Sequence, residues 1–473
     1  MKKAELVVIP IPGVGHLTST LEVSKLLTSR SDRLSVTVLV MKPPTDQKAV
    51  PESSDPRIRL IECRREEPPQ DGNSTAVSPR LALFEFIDSH RAHMREILQE
   101  IRTSETADLA GIVIDMFCTS TIDLADEFGV PSYLYYTSGA AMLGLVFHLQ
   151  SLRDDFGVDV TEFKDSNEEL AVSTYMNPFP ARVLPSGVFN KEGCDVFLNQ
   201  GRRYRETKGL IINTFQELEF HAIQALLNDG KIPPVYPIGP ILKLGNISDH
   251  NPESDMILKW LDLQPDSSVV FLCFGSMGTF SEEQVQQIAY ALEKAGCRFL
   301  WSLRKAKTDF LELPEDYENL EEVLPEGFLQ RTADVGRVIG WAPQVAILSH
   351  TAVGGFVSHC GWNSTLESIW CGVPLATWPL YAEQQTNSFL LVKDLGLAVE
   401  IKMDYRREFE IEPTEIVSAD VIADGIKKLM DPGNGIREKM KEVKEKSKLA
   451  LGEGGSSSAY LKSFLDNVID SIP

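Results

Sequence analysis

The sequence predicts an α/β protein built from two doubly wound parallel sheets in tandem. The chain has 473 residues, which is more than one ordinary core accommodates. Short apolar runs rich in β-branched residues alternate with helical periodicity in the first half, and the second half repeats this order. Alternation of this kind is typical of parallel sheets that are covered by helices on both faces.

Each predicted strand is a short, continuous apolar run, and each predicted helix shows apolar residues at a spacing of 3.6. The strands predicted in the first half are 6–10, 34–41, 111–115 and 132–136, with helices at 20–29, 81–101, 122–128 and 140–152. The strands predicted in the second half are 269–274, 299–303, 355–358 and 375–378, with helices at 282–294, 364–371 and 385–395.

A domain boundary is predicted where proline interrupts both kinds of element. Four prolines fall within residues 233–240, and a polar stretch follows at 245–254. Neither a helix nor a central strand continues through such a segment. We therefore predict a first domain over 1–240, a linker over 241–254 and a second domain over 255–456. A helix over about 457–473 is expected to pack back on the first domain.

Composition and charge exclude several classes of partner. The formal net charge of −22 disfavours binding to nucleic acid or to anionic lipid, and no local basic patch offsets it. No apolar stretch approaches the roughly 20 residues that span a bilayer, and the run at 6–9 is too short for a signal-peptide core.

Seven cysteines without a CxxC pair suggest neither a disulfide framework nor a zinc site. A cytosolic protein is expected; the residues leave its oligomeric state open, with a monomer as the working expectation.

A first candidate motif, Pro-Gly-Val-Gly-His, occupies residues 12–16 directly after the first strand. It half-resembles a dinucleotide fingerprint, but the third glycine is missing and no acidic residue ends the second strand. The turn places His16 at the carboxyl edge of the sheet, where doubly wound folds bind ligands. Asp115 ends another strand at the same edge, and a carboxylate beside an imidazole fixes its tautomer. The pair is a candidate general base and partner; a helix-start histidine and a capping aspartate remain the alternatives.

The strongest signal spans the 44 residues 341–384. It contains Trp-Ala-Pro-Gln at 341–344, His-Cys-Gly-Trp-Asn-Ser at 359–364, Glu367, and Glu-Gln at 383–384. The run at 359–364 follows an apolar strand and opens a helix, so its N–H groups and the helix dipole favour a diphosphate. Glu367 projects near the same helix start, where a carboxylate accepts hydrogen bonds from ribose hydroxyls. Glu383 and Gln384 suit a polyhydroxylated sugar.

Two further features concern the diphosphate. Phe-Gly-Ser-Met-Gly at 274–278 ends a strand with small residues that allow phosphates to approach closely. The chain has no Asp-x-Asp pair, which many metal-dependent transferases use to hold Mn²⁺ or Mg²⁺. The helix start and His359 can take over the electrostatic role of a metal ion. We therefore predict an enzyme that needs neither a metal nor a bound cofactor.

These motifs together resemble those of the plant family 1 UDP-glycosyltransferases. Segment 341–384 is similar to the 44-residue signature of plant secondary-product glycosyltransferases, and both Pro-Gly-x-Gly-His at 12–16 and Tyr-Tyr-Thr-Ser at 135–138 match as well. The resemblance covers essentially the whole chain and is nearest to the flavonoid and phenolic branch. It implies a GT-B architecture, with two Rossmann-like domains facing across a cleft, and UDP-glucose as the co-substrate.

The resemblance also implies residue roles. His16 is the general base and Asp115 its partner, while Trp341 stacks on uracil. The residues implied in binding the UDP-sugar are Gly15, Thr137, Ser276, Trp341, Ala342, Gln344, His359, Gly361, Trp362, Asn363, Ser364, Glu367, Glu383 and Gln384. Candidate acceptor-binding residues, any of which can be ordinary core, are Phe117, Met142, Leu143, Phe147, Leu184, Phe189 and Phe197.

The predicted function is therefore inverting, metal-independent transfer of glucose from UDP-glucose to a hydroxyl of a small lipophilic acceptor. A flavonoid or another phenolic is the expected acceptor and a β-O-glucoside the product. The same chemistry on a terpenoid aglycone, or with another UDP-sugar, is the first alternative. A non-catalytic nucleotide-sugar binding protein is the second. The missing third glycine disfavours a dehydrogenase, and the missing Asp-x-Asp pair disfavours a metal-dependent transferase.

Overall fold

The chain folds into two units, neither of which is a single continuous segment. The computed structural model describes residues 2–42, 50, 53–66, 78–243, 252–306, 313–407 and 415–470. The first unit comprises Met1–Val160, Lys191–Lys243 and Leu449–Pro473, and the second comprises Thr161–Asn190 and Leu244–Lys448. The predicted assignment of residues 161–190 to the first domain is therefore wrong. Most of the predicted linker, 241–254, lies outside the described residues.

The described strands and helices alternate along most of the chain. The strands are β1 (Lys3–Ile9), β2 (Leu34–Val40), β3 (Ile58–Glu62), β4 (Ala107–Asp115), β5 (Ser132–Tyr136), β6 (Glu169–Leu170), β7 (Phe179–Pro180), β8 (Gly209–Ile212), β9 (Val235–Pro237), β10 (Val269–Cys273), β11 (Arg298–Ser302), β12 (Gly336–Ile339), β13 (Val353–Ser358), β14 (Leu375–Thr377) and β15 (Ala398–Glu400). The α-helices are α1 (Val14–Arg30), α2 (Pro79–Asp88), α3 (Arg91–Arg102), α4 (Ile122–Phe128), α5 (Ala140–Phe156), α6 (Lys191–Tyr204), α7 (Phe220–Asn228), α8 (Pro252–Asp262), α9 (Glu282–Ala295), α10 (Phe328–Arg331), α11 (Gln344–Leu348), α12 (Trp362–Cys371), α13 (Gln384–Phe389), α14 (Ala419–Met430), α15 (Ile436–Leu451) and α16 (Ser456–Asp470). None of these helices is both long enough and apolar enough to cross a membrane.

The sheet of the first unit is parallel, with the strand order β3-β2-β1-β4-β5-β8-β9. The order reverses between β1 and β4, and this reversal is the topological switch point at which doubly wound folds bind ligands. The strands β1 and β4 are buried along most of their length, which accounts for their near-continuous apolar sequences.

The sheet of the second unit is also parallel, with the order β12-β11-β10-β13-β14-β15. Its switch point lies between β10 and β13. The predicted fold class, two Rossmann-like doubly wound units, is thus confirmed. Each unit has its own apolar core on its own sheet, so each can position functional side chains independently.

The C-terminal helix α16 contributes to the core of the first unit. Its residues Leu461, Phe464 and Val468 are buried there, together with residues of β1, β2 and β4. The ring of Phe464 meets those of Tyr133 and Tyr236 edge to face, at centroid distances of 5.0 and 5.4 Å. This packing explains the apolar face of a helix that follows a Gly/Ser-rich break.

The segment 161–190 belongs to the second unit because its side chains pack there. The ring of Phe179 lies 5.0 Å from that of Phe389 on α13. The carboxylate of Asp394 accepts a hydrogen bond from the backbone N–H of Met176 at 2.9 Å. Both contacts join residues more than 200 positions apart, so no local pattern could indicate them.

Candidate active site

The two switch points carry the predicted catalytic pair and many of the predicted donor-binding residues. In the first unit, β1 leads through a turn into α1, and β4 ends at Asp115. In the second unit, the segment after β10 contains Gly275 and Ser276, and β13 leads directly to His359. Since parallel strands end at a common edge, each switch point brings together two segments that are far apart in sequence.

At the first switch point, His16 and Asp115 form a close pair. Nδ1 of His16 lies 2.7 Å from Oδ2 of Asp115. The histidine side chain is 26% exposed and the aspartate side chain 1% exposed, so the imidazole is accessible while its partner is enclosed. An ionised carboxylate only accepts hydrogen bonds, so Nδ1 carries the proton and Nε2 carries the lone pair. The ring therefore presents its basic nitrogen on the side away from Asp115.

The backbone and a neighbouring hydroxyl hold this pair in place. Oδ1 of Asp115 accepts a hydrogen bond from the N–H of Phe117 at 3.0 Å. Oγ1 of Thr137, after β5, lies 3.4 Å from Nδ1 of His16. The start of α5 is held in turn by the buried carboxylate of Glu219, which accepts the N–H groups of Ala140 and Ala141 at 2.9 Å each. The position of Thr137 is thereby tied to a buried helix cap.

At the second switch point, His359 packs between two glycines. A Cβ atom at Gly275 would lie 2.6 Å from Nε2 of His359, and a Cβ atom at Gly361 would lie 2.5 Å from it. Gly275 also has a φ of +77°, which side chains other than glycine rarely adopt. Both positions therefore require glycine, because any side chain there would displace the imidazole.

Burial sets the chemistry of this part of the site. Desolvation lowers the pKa of His359 to about 4, so the ring is neutral at pH 7. Nδ1 of His359 and Oδ1 of Asn363 are buried and have no hydrogen-bond partner within the described protein. Buried polar atoms normally have partners, so two such atoms at the start of one helix indicate a place for a polar ligand.

A second group of predicted residues meets where α11 lies beside α12. Nε2 of Gln344 donates to Oγ of Ser364 at 2.9 Å and to Oε2 of Glu367 at 2.6 Å. Desolvation raises the pKa of Glu367 to about 7, although the bond from Gln344 opposes this shift. A carboxyl group whose pKa is raised this far by burial is a functional-site candidate.

The start of α13 holds the last two signature residues. Oε1 of Gln384 accepts the N–H groups of Leu380 and Tyr381 at 2.8 and 3.1 Å, so its NH₂ end is the one that can donate to a ligand. Nδ2 of Asn387 donates to the carbonyl of Cys360 at 2.9 Å and lies 3.4 Å from Oε1 of Glu383. Asn387 therefore connects the middle of the signature, at Cys360, with Glu383 near its end.

Comparison with known proteins identifies the chain. Residues 231–410 match the family model described as UDP-glucoronosyl and UDP-glucosyl transferase. A Fragaria ananassa protein described as UDP-glucose flavonoid 3-O-glucosyltransferase 6 is 56% identical over 483 residues, 99% of both chains. The chain belongs to the UDP-glycosyltransferase family. UDP-glycosyltransferase 71E1 of Stevia rebaudiana, 53% identical over 99% of both chains, is another relative of this UDP-glycosyltransferase.

Solved structures show the same fold class. A transferase from Siraitia grosvenorii in complex with UDP has a TM-score of 0.90 and 45% identity, covering 99% of this chain and 100% of that one. The Medicago truncatula structure UGT71G1, complexed with UDP-glucose, has a TM-score of 0.84 and 41% identity over 98% of each chain. The predicted GT-B class and the predicted transferase activity are confirmed by these relatives.

The remaining predicted residues of this UDP-glycosyltransferase are distributed over both units. Met142, Leu143 and Phe147 are buried on α5, and Phe147 lies against Tyr204 and under the guanidinium of Arg205. The other acceptor candidates are partly buried Phe117 and Phe197 in the first unit and buried Leu184 and partly buried Phe189 in the second. Of the other donor-binding candidates, Gly15 and Trp341 are exposed, Ser276 is partly buried, and Ala342 and Trp362 are buried.

Sequence reasoning missed two kinds of residue at the site. Asn387 lies four positions after Glu383, a spacing that places both on one helix face. The strained positions Cys360, with φ of 65°, and Ala382, with φ of 55°, carry no sequence signal because neither is glycine or asparagine. Each is adjacent to a predicted donor-binding residue, as expected of strain held at a functional site.

Proposed function

We propose that this UDP-glycosyltransferase moves glucose from UDP-glucose to a phenolic hydroxyl, such as that of a flavonoid, with inversion and without a metal ion. The observation that carries the proposal is the 2.7 Å contact of His16 with Asp115 at a sheet edge suited to ligands. The choice of acceptor is supported by the Fragaria ananassa relative, and the choice of donor by the Medicago truncatula structure.

The proposed reaction is a single in-line displacement. Nε2 of His16 takes the proton of the acceptor hydroxyl while the oxygen forms a bond to the anomeric carbon. The bond from that carbon to the UDP oxygen breaks on the opposite face, so an α-linked donor gives a β-glucoside. Asp115 stabilises the imidazolium that forms, and a positioned base of this kind contributes about 10²–10⁴-fold to the rate.

The leaving diphosphate is proposed to bind at the start of α12. Because His359 is neutral at pH 7, its contribution is a hydrogen bond and not a positive charge. The backbone N–H groups and the dipole of α12 then supply most of the stabilisation, together with the side chain of Asn363. Gln344 and Glu367 are proposed to bind ribose, and Gln384 to donate to a sugar hydroxyl.

We also propose that the enzyme works in the cytosol. All seven cysteines are free thiols, and five of them are buried. Free buried thiols are typical of proteins from reducing compartments.

The test is UDP release and product mass with UDP-glucose in EDTA, against flavonoids, simple phenols and triterpenoids. The proposal predicts a gain of one hexose on a phenolic acceptor. His16→Ala should lower kcat by about 10²–10⁴-fold with little change in KM for UDP-glucose. His350→Gln is the matched control, because Nε2 of His350 also lies near an aspartate, 3.2 Å from Oδ1 of Asp262. That variant should keep wild-type turnover.

Each alternative gives a different result in the same assay. Product on triterpenoids alone would replace the acceptor class, and activity restored only by added Mn²⁺ or Mg²⁺ would refute metal independence. UDP-glucose binding without product on any acceptor would favour a nucleotide-sugar binding protein. Near-normal turnover of His16→Ala on a neutral phenol would refute the role of the base.

A further inference from the structure

Trp341 is unusual among the tryptophans of the second unit because its side chain is exposed. It is 53% exposed, whereas Trp301 and Trp378 are 0% and Trp362 is 3% exposed. An exposed indole has rotational freedom that must be lost when it stacks on a ligand. Something must therefore hold the ring of Trp341 in place if it is to bind a base efficiently.

The side chain of Arg304 covers part of this ring. Its guanidinium carbon lies 5.5 Å from the indole centroid of Trp341, within the range of a cation–π contact. Ser302 of β11 pairs with Ile339 of β12 in the parallel register. Arg304 and Trp341 each lie two positions after one of these paired residues, which explains why their side chains meet. Oγ of Ser302 also donates to the carbonyl of Gly340 at 2.7 Å, which secures the segment before Trp341.

The guanidinium is itself held from the other side. Nε of Arg304 lies 2.9 Å from Oδ1 of Asp316, and another nitrogen donates to the carbonyl of Pro314. Backbone bonds between Lys305 and Glu315, at 2.8 and 3.0 Å, fix the segment that carries these acceptors. The Arg304 side chain is only 12% exposed as a result. A long, flexible side chain is thereby reduced to one orientation.

The same acidic residue also packs directly against the backbone before Trp341. A Cβ atom at Gly340 would lie 2.4 Å from both carboxylate oxygens of Asp316. Only glycine permits this approach, so Asp316 is fixed to the segment of Trp341 as well as to Arg304. Asp316 thus contacts both the guanidinium of Arg304 and the backbone of the residue that precedes Trp341.

We infer that Arg304 is a positioning residue for the nucleotide base. Its guanidinium holds one face of the Trp341 indole and leaves the other face for an uncharged, flat base. The inference rests on the proposed function, in which Trp341 stacks on uracil. Arg304 acts through Trp341 and does not itself contact the diphosphate, so its loss should affect ligands with a base and spare those without one.

The test is a double-mutant cycle of Arg304→Met and Trp341→Ala. The Kd of UDP is measured by titration calorimetry for the wild type, both single variants and the double variant. Arg304→Met should weaken UDP binding roughly two- to thirtyfold, the range between an exposed and a desolvated cation–π contact. In the Trp341→Ala background the same change should have no further effect. The Kd of inorganic pyrophosphate should be unchanged in every variant.

A matched control exists in the same unit. Arg337 lies over the ring of Trp260 at 5.6 Å, yet neither residue belongs to the proposed site. Arg337→Met should leave the Kd of UDP unchanged. If Arg304→Met does not fold, Asp316→Ala, which keeps the arginine and removes the carboxylate that Nε of Arg304 contacts, should weaken UDP binding in the same direction.

Three results would overturn the inference. Equal weakening of pyrophosphate would show that Arg304 contacts the phosphates directly. An effect of Arg304→Met that persists in the Trp341→Ala background would show that it does not act through the indole. An unchanged Kd of UDP in Trp341→Ala alone would also remove the base-stacking role of Trp341, while the His16 assay would still report separately on the proposed reaction.

Discussion

Replacing Asp115 by asparagine should disable His16, the proposed base, while leaving the imidazole side chain in place. Oδ1 of Asp115 accepts the N–H of Phe117 at 3.0 Å, and Oδ2 faces Nδ1 of His16 at 2.7 Å. Because the N–H of Phe117 needs an acceptor, the carbonyl of an asparagine must stay on that side. Its NH₂ group then faces His16 and donates to Nδ1. The ring proton of His16 moves to Nε2, the atom that is proposed to accept the proton of the acceptor hydroxyl.

The expected loss is large and depends on pH. A histidine held in the wrong tautomer lowers kcat by about 10³–10⁴-fold, while KM for UDP-glucose should change little. A phenol ionises near pH 10 and then needs no base. The deficit should therefore shrink as the pH rises from 7 to 10 with a simple phenol as acceptor. UDP release measured across this range provides the assay, and Asp123→Asn, which removes an ion pair with Arg203 in the same unit, provides the control.

Two outcomes would refute the reasoning. If Asp115→Asn keeps more than about a tenth of wild-type kcat at pH 7, the pair does not determine the tautomer of a catalytic base. If the deficit is the same at pH 7 and pH 10, proton removal is not the step that the variant has lost.

Three further predictions concern buried polar groups. Glu219→Ala leaves the N–H groups of Ala140 and Ala141 without their acceptor and should cost about 2–4 kcal/mol of stability by thermal denaturation; Glu219→Gln should cost about half. The pKa of Glu367 is about 7 in the folded state instead of its usual 4.5, so the free energy of unfolding falls as the pH rises between these values. Glu367→Gln should therefore increase the free energy of unfolding by about 3 kcal/mol at pH 8 and leave it unchanged at pH 4. The same variant should bind UDP more weakly. The pKa of His359 is about 4 in the folded state and about 6.5 in the unfolded state, so the free energy of unfolding falls by about 3 kcal/mol as the pH falls from 6.5 to 4. Urea denaturation of His359→Gln should not show this fall.

The buried strands of the two switch points were the most predictable elements. The strands β4 and β13 are apolar and central, so their sequence patterns indicate both their existence and their last residues. The candidate residues Asp115 and His359 follow from those ends, because ligand sites lie at the carboxyl edge. The prediction of these two residues needs only the local sequence around the end of each strand, and no long-range contact has to be known.

Elements that depend on their surroundings were predicted less well. Strand β12 is an edge strand of four residues with an exposed arginine, and the sequence does not predict it. The sequence does not predict the other edge strands, β3, β9 and β15, either. The single helix predicted over 81–101 is two helices, since Ser89 and His90 bond the carbonyl of Phe86 and end the first one. In each case a contact outside the local pattern decides the structure.

The contact of Arg304 with Trp341 shows where sequence reasoning reaches its limit. The two residues are 37 positions apart, and neither has a pattern that indicates the other. Their contact follows only from the register of β11 on β12, in which Ser302 pairs with Ile339. A register shifted by one residue would turn one of the two side chains to the opposite face of the sheet. The signature alone can therefore propose Trp341 as a binding residue, but the residue that orients it becomes visible only once the strands are aligned.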